Sequence, residues 1–155
     1  MMLPTPANAN DPDHEDGEGR MSATLARAEA AVADLAKDYP RWALADVAKA
    51  RAALAAAIEG PKARASHVEA LFRVGHDLKG QGTSFGYPLI TRIGHSLCTL
   101  TRDRALEYED KHLELAKAHL DAIDLVLTKG IKGEGGKIGA DLIAKFEQRV
   151  AELIG

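Results

Sequence analysis

The side chains of this sequence best placed for chemistry lie between His76 and Gly86, in the stretch His-Asp-Leu-Lys-Gly-Gln-Gly-Thr-Ser-Phe-Gly. In a helix, successive side chains turn by roughly 100°. Leu71, Val74, Leu78, Gly82 and Phe85 then share one face, the spacing of a stripe turned to a core. His76 projects about 160° from the centre of that stripe, towards water. Lys79, Gly80 and Thr83 follow it at spacings that make them its neighbours on the helix surface. A neutral imidazole is a good nucleophile near neutral pH. If it took up a phosphoryl group, the Lys79 ammonium would offset part of the negative charge gained. Gly80 offers no side chain, so another protein's reactive group can approach closely. Glycine inside a helix costs about 1 kcal/mol relative to alanine. Gly75, Gly80 and Gly82 all carry that cost in this one helix, which is understandable if something must come near.

The stretch resembles the signature of histidine-containing phosphotransfer (HPt) domains, a His-x-Leu-Lys-Gly core with a glycine ten residues after the histidine. It is also similar to the phosphotransfer domain of chemotaxis histidine kinases, which share the Phe85-Gly86 ending and a second histidine at the position of His95. Where that group has a glutamate that orients the acceptor, this sequence has Cys98. The resemblance implies that His76 is a phosphoacceptor passing phosphoryl groups between the aspartates of receiver domains. Lys79 would stabilise the phosphoryl charge, and His95 would stand across a groove as a supporting residue. It implies response-regulator receivers and a sensor (hybrid) histidine kinase as partners. Magnesium would be supplied by the receiver, so the chain itself is expected to hold no cofactor and no metal. Such a protein is a phosphotransfer intermediate; the chain is short for an additional kinase domain, and no Gly-rich nucleotide motif is present.

The elements that must position these residues follow from the apolar spacing. Residues 1–20 are poor in apolar side chains and rich in Pro, Asn, Asp, Glu and Gly, so a disordered tail is expected there. From Ser22, Leu25, Ala28, Val32 and Leu35 recur at helical spacing until Pro40. A second helix follows Pro40 with Leu44, Val47, Leu54 and Ile58 inward, and ends at Gly60. Pro61 suits the first turn of the third, which bears His76. Gly86-Tyr87-Pro88 separates it from a fourth with Leu89, Ile93, Leu97 and Leu100 inward. The fifth runs from about Glu109 to Thr128 with Leu113, Ala116, Leu120, Ile123 and Leu127 inward, closed by Gly130. After a Gly-rich connector, Ile138, Leu142, Phe146 and Val150 mark a sixth. Six helices with short links predict an all-α antiparallel four-helix bundle, its core at about residues 40–130, with additional flanking helices in a domain of residues 21–155.

Other features give weaker signals. Phe72 sits only about 40° from His76 on the helical wheel, either filling a gap against a flanking helix or forming a docking patch with Gly80, Thr83 and Tyr87. His95 either faces the His76 helix or faces solvent. Cys98 reads as a small filler on a helix surface. Glu109-x-x-His112 has the spacing of one metal half-site in helical bundles, without the second copy such sites need. His112 and His119 on one exposed helix are weak metal candidates. Two other functions are conceivable: a non-catalytic helical adaptor for receivers, and a metal-binding bundle. A net charge of −3 speaks against a nucleic-acid surface. No stretch has the roughly 20 apolar residues of a membrane span, and no secretory signal is visible, so a cytoplasmic protein away from the membrane is expected.

Overall fold

The computed structural model describes residues 12–155, with side chains from Gly17 onward. Among the described residues there are five α-helices: α1 (Pro12–Glu59), α2 (Arg64–Gly82), α3 (Pro88–Thr101), α4 (Asp110–Lys129) and α5 (Gly136–Ile154). Short 3-10 turns at Pro61–Ala63 and Thr83–Phe85 lead into and out of α2. The chain divides into two compact units, Met1–Lys37 and Asp38–Gly155.

The first difference from the sequence reading is at Pro40, which lies inside α1 instead of between two helices. Proline removes one N–H and crowds the preceding turn, a penalty of about 3 kcal/mol. Tertiary packing next to it works in the opposite direction. Tyr39 is fully buried and stacks on Phe85 with ring centroids 4.7 Å apart, and Ala43 and Val47 are buried one and two turns further on. Of the expected tail, residues 1–11 lie outside the described residues, and Pro12–Arg20 form the first turns of α1. In the unit that ends at Lys37, the stripe of Leu25, Ala28, Val32 and Leu35 is exposed.

The second unit is a helical bundle. Its core joins Tyr39, Val47 and Leu54 of α1, Leu71 and Leu78 of α2, Ile90, Ile93 and Leu97 of α3, and Leu113, Leu120 and Ile123 of α4. Ile143, Phe146 and Val150 of α5 complete it. The expected inward stripes hold apart from two residues near helix ends: Ile58 is 52 % exposed and Ile138 is 83 % exposed. Links are tied by specific bonds. Arg64 reaches back to the Ala57 carbonyl (3.0 Å) and across to the Tyr108 carbonyl (2.9 Å), joining three segments at one end of the bundle. Gly86 and Gly130 take positive φ values of 88° and 63° and close α2's 3-10 turn and α4 respectively.

The α4 histidines are both buried, contrary to the exposed helix expected. His112 lies 4 % exposed in a capping box: its Nδ1 accepts from the Glu109 N–H (2.9 Å), and its Nε2 faces the Leu153 carbonyl (3.1 Å). Both ring nitrogens are thus engaged in holding the start of α4 and the end of α5. That removes the reading of Glu109-x-x-His112 as a half-site. His119 is fully buried between α3 and α5, stacked on Phe146 at 4.0 Å. Its Nδ1–H donates to the Leu115 carbonyl (2.7 Å), which leaves Nε2 to accept from the Ser96 hydroxyl (2.8 Å).

Burial pushes the His119 imidazole down from 6.5 to about 4. The folded form therefore holds it neutral where the unfolded chain protonates it. Its contribution to stability is complete above about pH 6.5, falls as pH drops, and is fully lost below about pH 4. The expected cost is about 2 kcal/mol by pH 5. Denaturant titrations at pH 7 and pH 5 measure it, and His119→Gln should flatten that difference.

Candidate phosphotransfer site

α2 is organised by the difference between its two faces. Leu71, Gly75, Leu78 and Gly82 are buried, while His76, Asp77 and Gly80 are exposed. The outward placement of His76 inferred from helical spacing therefore holds. Phe72, one turn earlier, is half-buried, with its ring centroid 6.1 Å from the imidazole. It lines a cleft of about 250 Å³ together with Val68, Thr101 and Tyr108. The rim of that cleft carries Glu69, whose carboxylate accepts from Arg73 (3.0 Å) and Arg104 (3.1 Å). Phe72 thus packs towards the segment after α3, and neither the first nor the last helix supplies its surroundings.

Lys79 is half-buried, one turn after His76. Its electrostatic reach shows at Cys98: burial pushes that thiol up, and Lys79 and Arg102 pull it back down. Cys98 itself is buried, with Sγ against the Phe72 carbonyl (3.9 Å), so it is no surface filler. Gly80 has open space where a Cβ would stand, with nothing within 4 Å.

The other glycines do something different. A Cβ on Gly82 would meet Thr91 Oγ1 at 2.7 Å and the Tyr87 carbonyl at 2.8 Å, and one on Gly75 would press on Leu97 and Cys98 at 3.3 Å. From the opposite helix, a Cβ on Gly94 would stand 2.9 Å from the Lys79 nitrogen and 3.0 Å from the Gly75 carbonyl. α2 and α3 therefore touch backbone to backbone directly beneath His76 and Lys79. Two of the three α2 glycines serve this packing, and Gly80 alone serves access. Sequence reasoning missed Gly94. The available signal was a glycine set inside the apolar run Leu89–Leu97 of a helix, which often marks close approach.

Thr83 is exposed, and its N–H and hydroxyl both bond to Thr91 Oγ1 (2.8 and 2.9 Å), fastening the end of α2 to α3. Tyr87 belongs elsewhere. It is 3 % exposed and tilts against Tyr39, ring centroids 5.7 Å apart, so it is unavailable to a docking partner. The cause is the turn itself: Tyr87 N–H donates to the Gly82 carbonyl and Gly86 N–H to the Thr83 carbonyl. In this Schellman arrangement the residue after the glycine folds back onto the helix it closes. His95 is exposed and lines a shallow groove with Glu147, Val150 and Ile154, between α3 and α5. That is the side of α3 facing α5, so the structure does not group it with His76.

A helical bundle that holds one imidazole in solvent beside a lysine and a bare stretch of backbone can take up and release a small charged group while the partner supplies the rest. Compared with protein families, the chain matches the Hpt domain over residues 21–125, more than half of its length, and it belongs to that family. It is a histidine phosphotransfer protein of phosphorelay signalling. No curated protein and no solved structure was found to match it. The narrower likeness to the chemotaxis kinases is not confirmed. Among the described residues, no helix is long and apolar enough to cross a membrane.

Proposed function

We propose that His76 is the phosphoacceptor and that this chain shuttles phosphoryl groups between receiver-domain aspartates. The observation that carries the assignment is the exposure of His76 next to Lys79, with open space over Gly80. In the forward step the lone pair of an unprotonated ring nitrogen attacks phosphorus, while the proton stays on the other nitrogen. The N–P bond forms as the P–O bond to the donor aspartate breaks, and the aspartate leaves as a carboxylate. The second transfer reverses these changes on another receiver. Magnesium for the aspartate chemistry comes with the receiver. Phe72, Gly80 and Thr83 form the surface on which receivers dock, and a sensor or hybrid kinase stands upstream. The protein works in the cytoplasm.

Incubation with a receiver carrying labelled aspartyl phosphate tests this reading. Label should pass to the chain and from it to a second, unphosphorylated receiver. Lys79→Ala should slow the transfer up to about fivefold, because a half-exposed charge interaction is worth no more than about 1 kcal/mol. Binding of the unphosphorylated receiver should change little. Unaltered transfer in Lys79→Ala at low salt would remove Lys79 from the site.

A further inference from the structure

The unit that ends at Lys37 presents an apolar seam to solvent. Met21 is 67 % exposed, Leu25 58 %, Val32 56 % and Leu35 46 %, with Ala28 exposed among them. Their spacing of four, three, four and three residues is a heptad pattern, by which two helices wind around each other along a narrow seam. The residues flanking the seam, Ser22, Thr24, Ala31 and Ala36, are small and let a second helix come close.

The charges identify the occupant. From Glu18 to Lys37 they read Glu18, Arg20, Arg27, Glu29, Asp34, Lys37, or minus, plus, plus, minus, minus, plus. Read backwards, the order has the opposite sign at every place. A second copy laid antiparallel, with its two-fold axis near Ala28, therefore sets Glu18 beside Lys37, Arg20 beside Asp34 and Arg27 beside Glu29. The same axis brings Leu25 to Val32 and Met21 to Leu35, and leaves the smallest seam residue, Ala28, where the backbones come nearest. A parallel pair in register would set like charges together. Within one helix Lys37 and Asp34 already approach to 3.7 Å, but both are about four-fifths exposed and their contact is weak enough to exchange.

We propose that this part of α1 is a self-association arm, through which two copies of the chain form an antiparallel two-fold dimer. Its 21 residues make a helix about 31 Å long and about 11 Å across. Pairing two such helices along one seam buries on the order of 1,000 Å² in total, the lower bound for a specific interface. The dimer is accordingly weak and forms as concentration rises.

Sedimentation of the full chain across the micromolar range tests the proposal. The average mass should climb from 16.5 kDa towards twice that value. Leu25→Glu with Val32→Glu should hold the chain at the monomer mass throughout. Ala23→Glu, about 170° from the seam, should dimerise like the parent. A charge-only pair of variants leaves the apolar seam and its helix intact: Arg20→Glu with Arg27→Glu, and Glu29→Arg with Asp34→Arg. Each alone should associate more weakly than the parent, and their mixture should associate at least as well. Raising salt should weaken the parent dimer a few-fold by screening opposite charges. A chain that stays monomeric at the highest concentration overturns the proposal and leaves the seam to a helix of another protein. So does a dimer that survives the double glutamate substitution. Tightening with salt would overturn the antiparallel arrangement.

Discussion

Substituting His76 by glutamine should abolish phosphoryl uptake from a phosphorylated receiver and leave helical content and thermal stability unchanged. The side chain is exposed, with the Phe72 ring 6.1 Å away as its one ring neighbour. Changes at such positions alter stability by no more than about 0.5 kcal/mol. The chemistry, in contrast, is lost completely, because an amide is no nucleophile towards phosphorus at neutral pH. The other described histidines do not replace it. His112 and His119 have both ring nitrogens engaged in the interior. His95 is exposed but sits in the groove lined by α5 residues, and His67 is half-buried at the other end of α2. The phosphate on the parent protein should be acid-labile and base-stable, as a phosphoramidate is. Label that persists on His76→Gln, or moves to His95, would overturn the assignment.

What the sequence made legible, and what it did not, follows the reach of helical spacing. Angles along a continuous helix are nearly fixed, so the inward stripe Leu71–Leu78 and the outward His76 could be derived before any tertiary contact was known. The same logic fails where the helix stops. Tyr87 lies beyond Gly86, and its inward turn comes from the Schellman bonds of a positive-φ glycine. Gly86 held the needed signal: a C′ glycine implies that the next residue folds back. Spacing also says nothing about which second element covers a face. His119 reads as solvent-facing until α5 lays Phe146 over it, and Cys98 until the glycine contact draws α2 against α3. Pro40 failed for a related reason. A local penalty was set against no known tertiary gain, and the burial of Tyr39 beside it supplied one.

The glycine seam beneath the site yields the largest stability effect. A Cβ at position 94 would stand 2.9 Å from the Lys79 nitrogen, 3.0 Å from the Gly75 carbonyl and 3.1 Å from Lys79 Cα. All three are main-chain atoms of α2, which cannot swing aside as the end of a side chain can. Gly94→Val adds two further methyl groups at the same place, so α2 must move away from α3 or the core must open. Overpacking of this kind costs about 3 kcal/mol, a fall in the melting temperature of roughly 12 °C for a domain of this size. The turn that moves is the one carrying His76 and Lys79, so phosphoryl transfer should fall along with stability. Gly80 has no neighbour within 4 Å, and the opposite split is expected there. Gly80→Gln should hold or slightly raise the melting temperature, since glutamine is the better helix former, yet transfer should drop because the side chain fills the receiver's path to His76. Thermal melts and transfer rates measured on both variants separate a seam that positions the histidine from a surface that admits its partner. A Gly94→Val protein as stable as the parent would show that the two helices have room to spare. A Gly80→Gln protein with parental transfer would show that receivers approach His76 from another side.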